Sequence, residues 1–376
     1  MRILFLTILL FFLGCTSKSN KVEPGAINES INIDKFIITN HALDDSTIFK
    51  QCHTVFLETN DNSLIREINR IYKTEDYIFI FDKLLKKICV FDDQGKYQTK
   101  IHNIGQGPQE YISLMDFCLD TEKEQIVLLC DKPYKIMRFT YSGEFVSEIK
   151  HSDFFRSIVM DSQYVYCNRS ELNKTDLDKF EICCMNRSGE QIDNLLPTRD
   201  NITNTMFNTG NFLNKSENVY YTRRFDNTVY QLNKDKVTKK YMLDFGKFNL
   251  PDYLLKETDM RKFADECHEK QYVYSITEFV ENEKYLMFNT NQSICLYNKN
   301  DKTFIGYPAI NNTEFDIASN SFYSNSYDKN SIVVIIEPGI LYMLKDLVKD
   351  DDNIATLYEK IKEDDNPILF FYEFKN

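Results

Sequence analysis

Short apolar or aromatic runs that end in a polar residue recur along this chain. Six of them stand out: Tyr77–Asp82, Gln125–Asp131, Tyr164–Cys167, Asn218–Arg224, Lys284–Asn289 and Ser331–Glu337. A second apolar run follows in nearly every case, and five of the units then carry a polar turn, at residues 92–95, 141–143, 186–189, 233–235 and 298–301. Runs of this length, rich in Ile, Val, Tyr and Phe, are typical of β-strands. The pattern predicts an all-β fold built from one repeated strand–turn–strand unit.

The spacing of the turns predicts a β-propeller. From Gly95 to Gly143, Gly189 and Asp235 the step is about 46 to 48 residues, which suits one four-stranded antiparallel blade. Counting the units predicts six blades, although length divided by a bare repeat suggests eight. The longer step that follows is assigned to a helical insertion near residues 251–270, and a short helix at 355–362 precedes the last strand. A ring must cover its sheet edges, so strands 366–374 and 52–58 are expected to join in or beside one blade.

The N-terminal residues predict a leader and a lipid anchor. Arg2 precedes an apolar run, residues 3–13, that is too short to span a bilayer, and the run leads into Gly14 and Cys15. A small residue before a lone cysteine resembles the lipobox of bacterial lipoproteins, in which the cysteine is acylated. The predicted divisions are a signal peptide at 1–14, a lipidated flexible tether at 15–30 and the propeller at 31–376. The resemblance implies a lipid-anchored protein of the cell envelope, with the leaflet left open.

Composition narrows the classes of function. The formal net charge is −12 and no basic stripe interleaves with aromatic residues, which argues against nucleic acid as a partner. Nine cysteines beyond Cys15 include no Cys-x-x-Cys pair, so buried free thiols are expected. The five histidines stand at no metal-ligand spacing. The sequence therefore predicts a monomeric domain without a metal or cofactor.

One glycine-rich motif lies between the first two predicted blades. Gly105, Gly107, Pro108, Glu110 and Tyr111 form a tight connection in this interpretation, since no Gly-Lys-Ser/Thr follows to hold a phosphate. With Met115-Asp-Phe117, this stretch resembles the Gly-x-Gly-Pro-x-Glu-Tyr signature of six-bladed β-propeller lipoproteins common in Bacteroidetes, relatives of the NHL-type propellers. Asn366-Pro367 before a hydrophobic strand is also similar to that family. The resemblance implies a fold and a location, and no activity.

Polar residues at the ends of the second strands are the candidate binding residues, because such ends converge on one mouth of a propeller channel. They are Asp82, Asp131, Tyr134, Arg169, Arg223, Arg224, Asn291 and Glu337. Mixed charges, amides and an aromatic ring suit a polar ligand such as a sugar or peptide, and a guanidinium fork can pair with carboxylates. The predicted function is a binding or scaffolding module for such a ligand or a partner protein. The alternative is a propeller enzyme, a lyase or hydrolase, that uses the same mouth.

Overall fold

A computed structural model describes residues 30–169, 179–199, 210–234, 236–325, 327–344 and 352–375. The predicted leader, Cys15 and the tether up to residue 29 lie outside the described residues. Within the described part of the chain, no helix combines the length and the apolar character needed to cross a membrane.

The first described segment, residues 31–56, is the N-terminal strap. It contains β1 (Ile31–Ile33), β2 (Ile37–Ile38), β3 (Leu43–Asp44), the short helix α1 (Asp45–Ile48) and β4 (Phe49–Phe56). The strap forms no sheet of its own. Its four strands each join a different sheet built by later residues.

Three four-stranded antiparallel blades follow in chain order. Blade 1 contains β5 (Arg70–Lys73), β6 (Tyr77–Asp82), β7 (Lys87–Asp92) and β8 (Tyr97–Ile101). Blade 2 contains β9 (Ser113–Asp120), β10 (Gln125–Lys132), β11 (Tyr134–Thr140) and β12 (Phe145–Lys150). Blade 3 contains β13 (Phe155–Met160), β14 (Tyr164–Arg169), β15 (Phe180–Asn186) and β16 (Gln191–Pro197).

The next two blades each gain a fifth, parallel strand from the strap. Blade 4 contains β17 (Leu213–Lys215), β18 (Val219–Tyr221), β19 (Thr228–Asn233) and β20 (Lys236–Leu243), and β1 pairs with β20. Blade 5 contains β21 (Ile276–Glu281), β22 (Tyr285–Thr290), β23 (Ile294–Asn298) and β24 (Phe304–Tyr307), and β2 pairs with β24. The predicted helical insertion lies between them as the 3-10 helices Gly246–Phe248 and Asp252–Lys256 and the helix α2 (Met260–Lys270). Asp259 caps α2 by accepting hydrogen bonds from the backbone N–H groups of Arg261 and Lys262.

The last two blades also include strap strands. Blade 6 has three strands, β25 (Ile310–Asn312), β26 (Ile317–Ser319) and the parallel β3. Blade 7 contains β27 (Tyr323–Ser324), β28 (Ser331–Ile336) and β29 (Ile368–Phe374), with β4 as its outer strand. The helices α3 (Pro338–Leu344) and α4 (Asp352–Tyr358) stand between β28 and β29, so the predicted C-terminal helix is present but begins earlier than residue 355.

The prediction of six blades is wrong, because the described residues form seven sheets. The sequence pattern does not reveal blade 6 because its strands are very short and come from distant parts of the chain. Its strands span two or three residues, too few to show a strand period, and its third strand comes from residues 43–44 of the strap. Blade 6 also departs from the predicted four strands.

The predicted closure of the ring is confirmed. The last strand, β29, pairs antiparallel with β28 on one side and with β4 on the other. Ile368 lies opposite Phe56, and the register runs on to Phe374 opposite Phe49. The two terminal strands therefore close one blade together.

The core lies between neighbouring blades. The middle strands are buried on both faces, as in β6, where Ile78, Phe79 and Ile80 are inaccessible to solvent. This double burial explains why these runs are continuously apolar instead of alternating. The outer strand β12, by contrast, alternates half-buried and exposed positions along its whole length.

The nine cysteines from Cys52 onward are free, and all but Cys52 are buried. Eight of them lie in strands and Cys267 lies in α2, and the buried ones pack as small apolar groups, as the sequence predicts.

Candidate functional site

The first strands of six blades surround a cavity of about 640 Å³, called here the axial cavity. Its wall includes residues 67–70, 115–116, 156–157, 210–212, 277–278 and 321–323, which lie in or directly before β5, β9, β13, β17, β21 and β27. Ends of second strands complete it with Phe81, Asn168, Asn289 and Thr290. Blade 6 does not contribute to the wall. The cavity therefore opens at the mouth where the second strands end.

A buried ion pair joins blades 1 and 2 at this wall. Arg70 Nε donates to Asp116 Oδ1 at 2.7 Å and Arg70 Nη2 donates to Oδ2 at 3.0 Å, with both side chains buried. The backbone N–H of Ile158 in blade 3 also donates to Asp116 Oδ2, at 2.9 Å. Burial opposes the charge on Arg70, but Asp116, Tyr72 and Glu278 together outweigh burial and raise the pKa of Arg70. One carboxylate thus holds three blades in register.

Glu278 makes a similar connection from blade 5 to blades 4 and 7. It lies at an irregularity in β21 with φ of 53°, a left-handed conformation that costs a non-glycine residue roughly 1–2 kcal/mol. Its carboxylate accepts hydrogen bonds from Ser324 N at 2.8 Å, from Ser324 Oγ at 2.7 Å and from Asn211 Nδ2. Burial raises the pKa of Glu278, whereas the Arg70 charge and the Ser324 hydrogen bonds oppose the rise. The strained backbone directs a carboxylate to blades 4 and 7.

Two asparagines, one at the end of β22 and one in the turn after it, line the cavity and differ in how many of their hydrogen-bonding groups have partners. Asn291 is fully used by the fold, since Oδ1 accepts from Tyr274 N at 2.8 Å and Nδ2 donates to Tyr272 O at 2.9 Å. Asn289, 9 % exposed, donates from Nδ2 to Phe322 O at 2.8 Å, while its Oδ1 has no hydrogen-bond partner among the described residues. Asn289 therefore keeps a buried acceptor without a partner in the described part of the fold.

A tyrosine separates the axial cavity from the opposite end of the propeller. The Tyr327 hydroxyl accepts a hydrogen bond from Leu119 N at 2.5 Å and donates to Leu119 O at 2.8 Å. Its ring meets Tyr72 edge-on, with centroids 4.9 Å apart. These contacts reach from blade 7 to blades 1 and 2. Tyr327 thus lies between the axial cavity and the opposite end of the propeller.

Comparison with known proteins places the chain in a family. Residues 28–373 match the model of a domain of unknown function, DUF4934. The chain belongs to the DUF4934 family. No curated protein matches it. Among solved structures it is similar to a Bacteroides fragilis protein described as exported, with a TM-score of 0.74 and 21 % identity over 91 % of this chain and 100 % of that one. A member of the DUF4221 family from Bacteroides vulgatus has a TM-score of 0.50 and 9 % identity, over 87 % of this chain and 97 % of that one.

These structural similarities show the fold of this DUF4934 member. They agree with the β-propeller that the glycine-rich motif implies, and the relatives come from Bacteroides. The six-bladed part of that resemblance is wrong, as the seven sheets show. The motif itself connects β8 to β9: Gly107 N donates to Glu110 Oε2 at 2.7 Å, and the buried Tyr111 hydroxyl donates to Lys86 O at 2.8 Å.

Of the eight predicted mouth residues, Asn291 alone is in the wall of the axial cavity of this DUF4934 chain. Asp82 is buried and accepts from the backbone N–H groups of Arg66 and Leu85. Tyr134 stacks on His151 with centroids 5.9 Å apart. Asp131 ends its pairing in β10 opposite Tyr134, and Glu337 is exposed just after β28. These four residues therefore lie outside the wall of the axial cavity.

The three predicted arginines come together beside the axial cavity. Arg169, Arg223 and Arg224 line a small pocket that shares Arg156 and Asn168 with it. Arg169 pairs with Asp153 at 3.0 Å. Arg223 pairs with Glu181 at 2.9 Å and with Asp226 at 2.7 Å. The guanidinium fork expected to hold a ligand carboxylate thus holds carboxylates of the chain itself.

The residues that sequence reasoning missed are Arg70, Asp116 and Glu278. A signal for the two acids was present, because Asp116 and Glu278 each interrupt an apolar first strand. Charged residues inside such strands are retained where they have partners. Within the described ranges, no group of three or more His, Cys, Asp or Glu is arranged to hold a metal ion.

Proposed function

We propose that this chain is a binding module of the cell envelope that takes an uncharged polar ligand, such as a sugar, into the axial cavity. The observation that carries the proposal is an open cavity of about 640 Å³ whose polar wall comes from six blades. Pockets of this size hold small ligands and use a few fixed polar groups for orientation.

The balance of charge on the wall favours a neutral ligand. Glu67, Asp116 and Glu278 face Arg70, Lys83 and Arg156. The buried members of this set are already satisfied, Arg70 by Asp116 and Glu278 by Ser324 and Asn211. A ligand with a net charge would find no surplus of the opposite sign here.

The uncharged part of the wall has the chemistry that hydroxyl groups recognise. Amide and hydroxyl side chains are contributed by Asn69, Asn168, Asn211, Asn289, Asn291, Ser157, Ser275, Thr277, Thr290 and Ser321. Phe212, Phe322 and Tyr323 add aromatic surface. Amides can donate and accept at once, as sugar hydroxyls require.

An enzymatic role has less support. A general acid or base must reach the substrate with a free oxygen. Asp116 and Glu278 are the buried carboxylates of the wall, and each accepts three hydrogen bonds from the protein itself. Their role in this proposal is to hold the wall rigid.

The envelope location rests on the N-terminal sequence and on relatives. The apolar run before Cys15 is the sequence of a lipoprotein leader in this proposal, with Cys15 as the lipid attachment site. The Bacteroides fragilis relative is described as exported.

The test uses thermal unfolding of the purified full chain with maltotriose, cellotriose or mannotriose. We expect at least one of these neutral sugars to raise the unfolding midpoint of the wild type. Ser321→Trp, which fills the cavity from an exposed position on its wall, should abolish the rise. Ser188→Trp, at an exposed turn of blade 3, should keep it. No response to any of the three sugars, or an undiminished response in Ser321→Trp, would refute the proposal.

A further inference from the structure

A second cavity, called here the rear cavity, lies on the far side of Tyr327 and measures about 580 Å³. It is formed where first strands pass into second strands in blades 1, 2, 4 and 7, at residues 74–77, 121, 124, 215–217, 327 and 329. Tyr141 completes its wall. The two cavities have no lining residue in common, so the rear cavity is a separate site.

Lys215, the last residue of β17, supplies an ammonium group without a counter-ion at this cavity. Its Nζ lies 4.9 Å from the centroid of the Tyr327 ring, and within the described chain it takes part in no hydrogen bond or ion pair of the kind that Lys329 makes. Burial lowers the pKa of Lys215, against the opposing influence of Cys118 and of the carboxylates Asp161, Glu122 and Asp120, none of which pairs with it directly. Taking a charge out of water without a paired anion is costly, so a ligand anion here would recover part of that cost.

The rim of the rear cavity has the opposite sign. Glu75, Asp76, Glu124 and Glu217 line it, against Lys215 and Lys329. Lys329 is neutralised by Glu217 at 3.0 Å. A simple anion would be repelled by the remaining carboxylates before it reached Lys215. A ligand that carries a carboxylate at one end and a positive charge at the other satisfies both parts of the site.

We propose that the rear cavity binds the C-terminal residues of a basic peptide, with the terminal carboxylate on Lys215 and the positive group at the acidic rim. The volume, about 580 Å³, is in the range of pockets that enclose small ligands. Tyr77, Tyr141 and Tyr327 provide aromatic faces for the peptide side chains and the cation. This site and its ligand class are independent of sugar binding in the axial cavity.

The experiment measures binding of the tripeptide Lys-Ala-Ala to the purified full chain by titration calorimetry, beside the same peptide with an amidated C-terminus. Charge-assisted hydrogen bonds contribute about 1.5 to 3 kcal/mol, so amidation should weaken binding at least about tenfold. Lys215→Gln should cause a loss of similar size. Lys215→Arg should retain most of the affinity because it keeps the charge.

Two controls separate the proposals. Lys329→Gln removes the other ammonium group of the rear cavity, which is paired with Glu217, and should change the affinity less than threefold. Ser321→Trp blocks the axial cavity and should leave tripeptide binding unchanged. The inference is overturned if the wild type binds no tripeptide, if the amidated peptide binds as tightly, or if Lys215→Gln has wild-type affinity. None of these results bears on sugar binding.

Discussion

Arg70 and Asp116 show how single residues organise the axis of the propeller. Each is a charged side chain in a buried first strand, and their two hydrogen bonds cross from blade 1 to blade 2. The sequence predicts that polar residues at the ends of second strands bind a ligand, because these ends converge at one mouth of a propeller channel. Asp82 and Arg223 instead found partners within a few residues or on a neighbouring blade. Strand-end position does not reveal which polar groups are satisfied by the fold.

Asp116→Asn should destabilise the protein by about 3 kcal/mol, because it removes the carboxylate that is paired directly with the buried Arg70 charge. Urea unfolding followed by circular dichroism measures this change. Glu269→Gln, which breaks the exposed pair with Lys270, should leave the midpoint unchanged. Equal effects of the two substitutions would contradict the structural role assigned to Asp116.

At the scale of elements, the joint between the chain ends depends on one asparagine as well as on strand pairing. Asn366, just before β29, donates from Nδ2 to Glu58 O at 2.9 Å and Ser63 O at 3.1 Å. Its Oδ1 accepts from Ile65 N at 2.7 Å. The side chain thereby satisfies three backbone groups of the connection between β4 and β5. Strand β29 is held both along its length and at its start.

Asn366→Ala should cost about 2 to 4 kcal/mol of unfolding free energy, since buried backbone groups lose their partners. Chemical unfolding measures the cost. Hydrogen exchange should also show faster exchange at Ile65, whose N–H loses its acceptor. The exposed Asp364→Ala, two residues earlier, is the matched control and should behave as the wild type. An Asn366→Ala protein as stable as the control would exclude this joint as a stabilising feature.

At the scale of the whole molecule, the strap ties the ring together from outside. Its strands β1, β2, β3 and β4 add in turn to blades 4, 5, 6 and 7. Between β1 and β2, Phe36 packs against Phe245 and Phe304 at centroid distances of 5.0 and 4.7 Å. Covering the outer edges of four blades removes sites at which another chain could pair.

Ile33→Ala tests the contribution of the strap. Ile33 is buried where β1 meets blade 4, so its loss should cost about 2 to 4 kcal/mol and lower the thermal midpoint. Ile31, in the same strand, is 47 % exposed, and Ile31→Ala should cost less than about 0.5 kcal/mol. If both substitutions have equally small effects, the strap does not stabilise the ring.

The sequence by itself determined the strands, the repeated turns, the helical insertion and the pairing of the chain ends. These features follow from local patterns of apolar residues and from the need to cover sheet edges. The tertiary structure alone decided the number of blades, since β3 and β25 meet across more than two hundred residues and are too short to show a period. It also decided the site, because Asp116, Glu278 and Lys215 acquire their partners, or lack them, only when separate blades are brought around one axis.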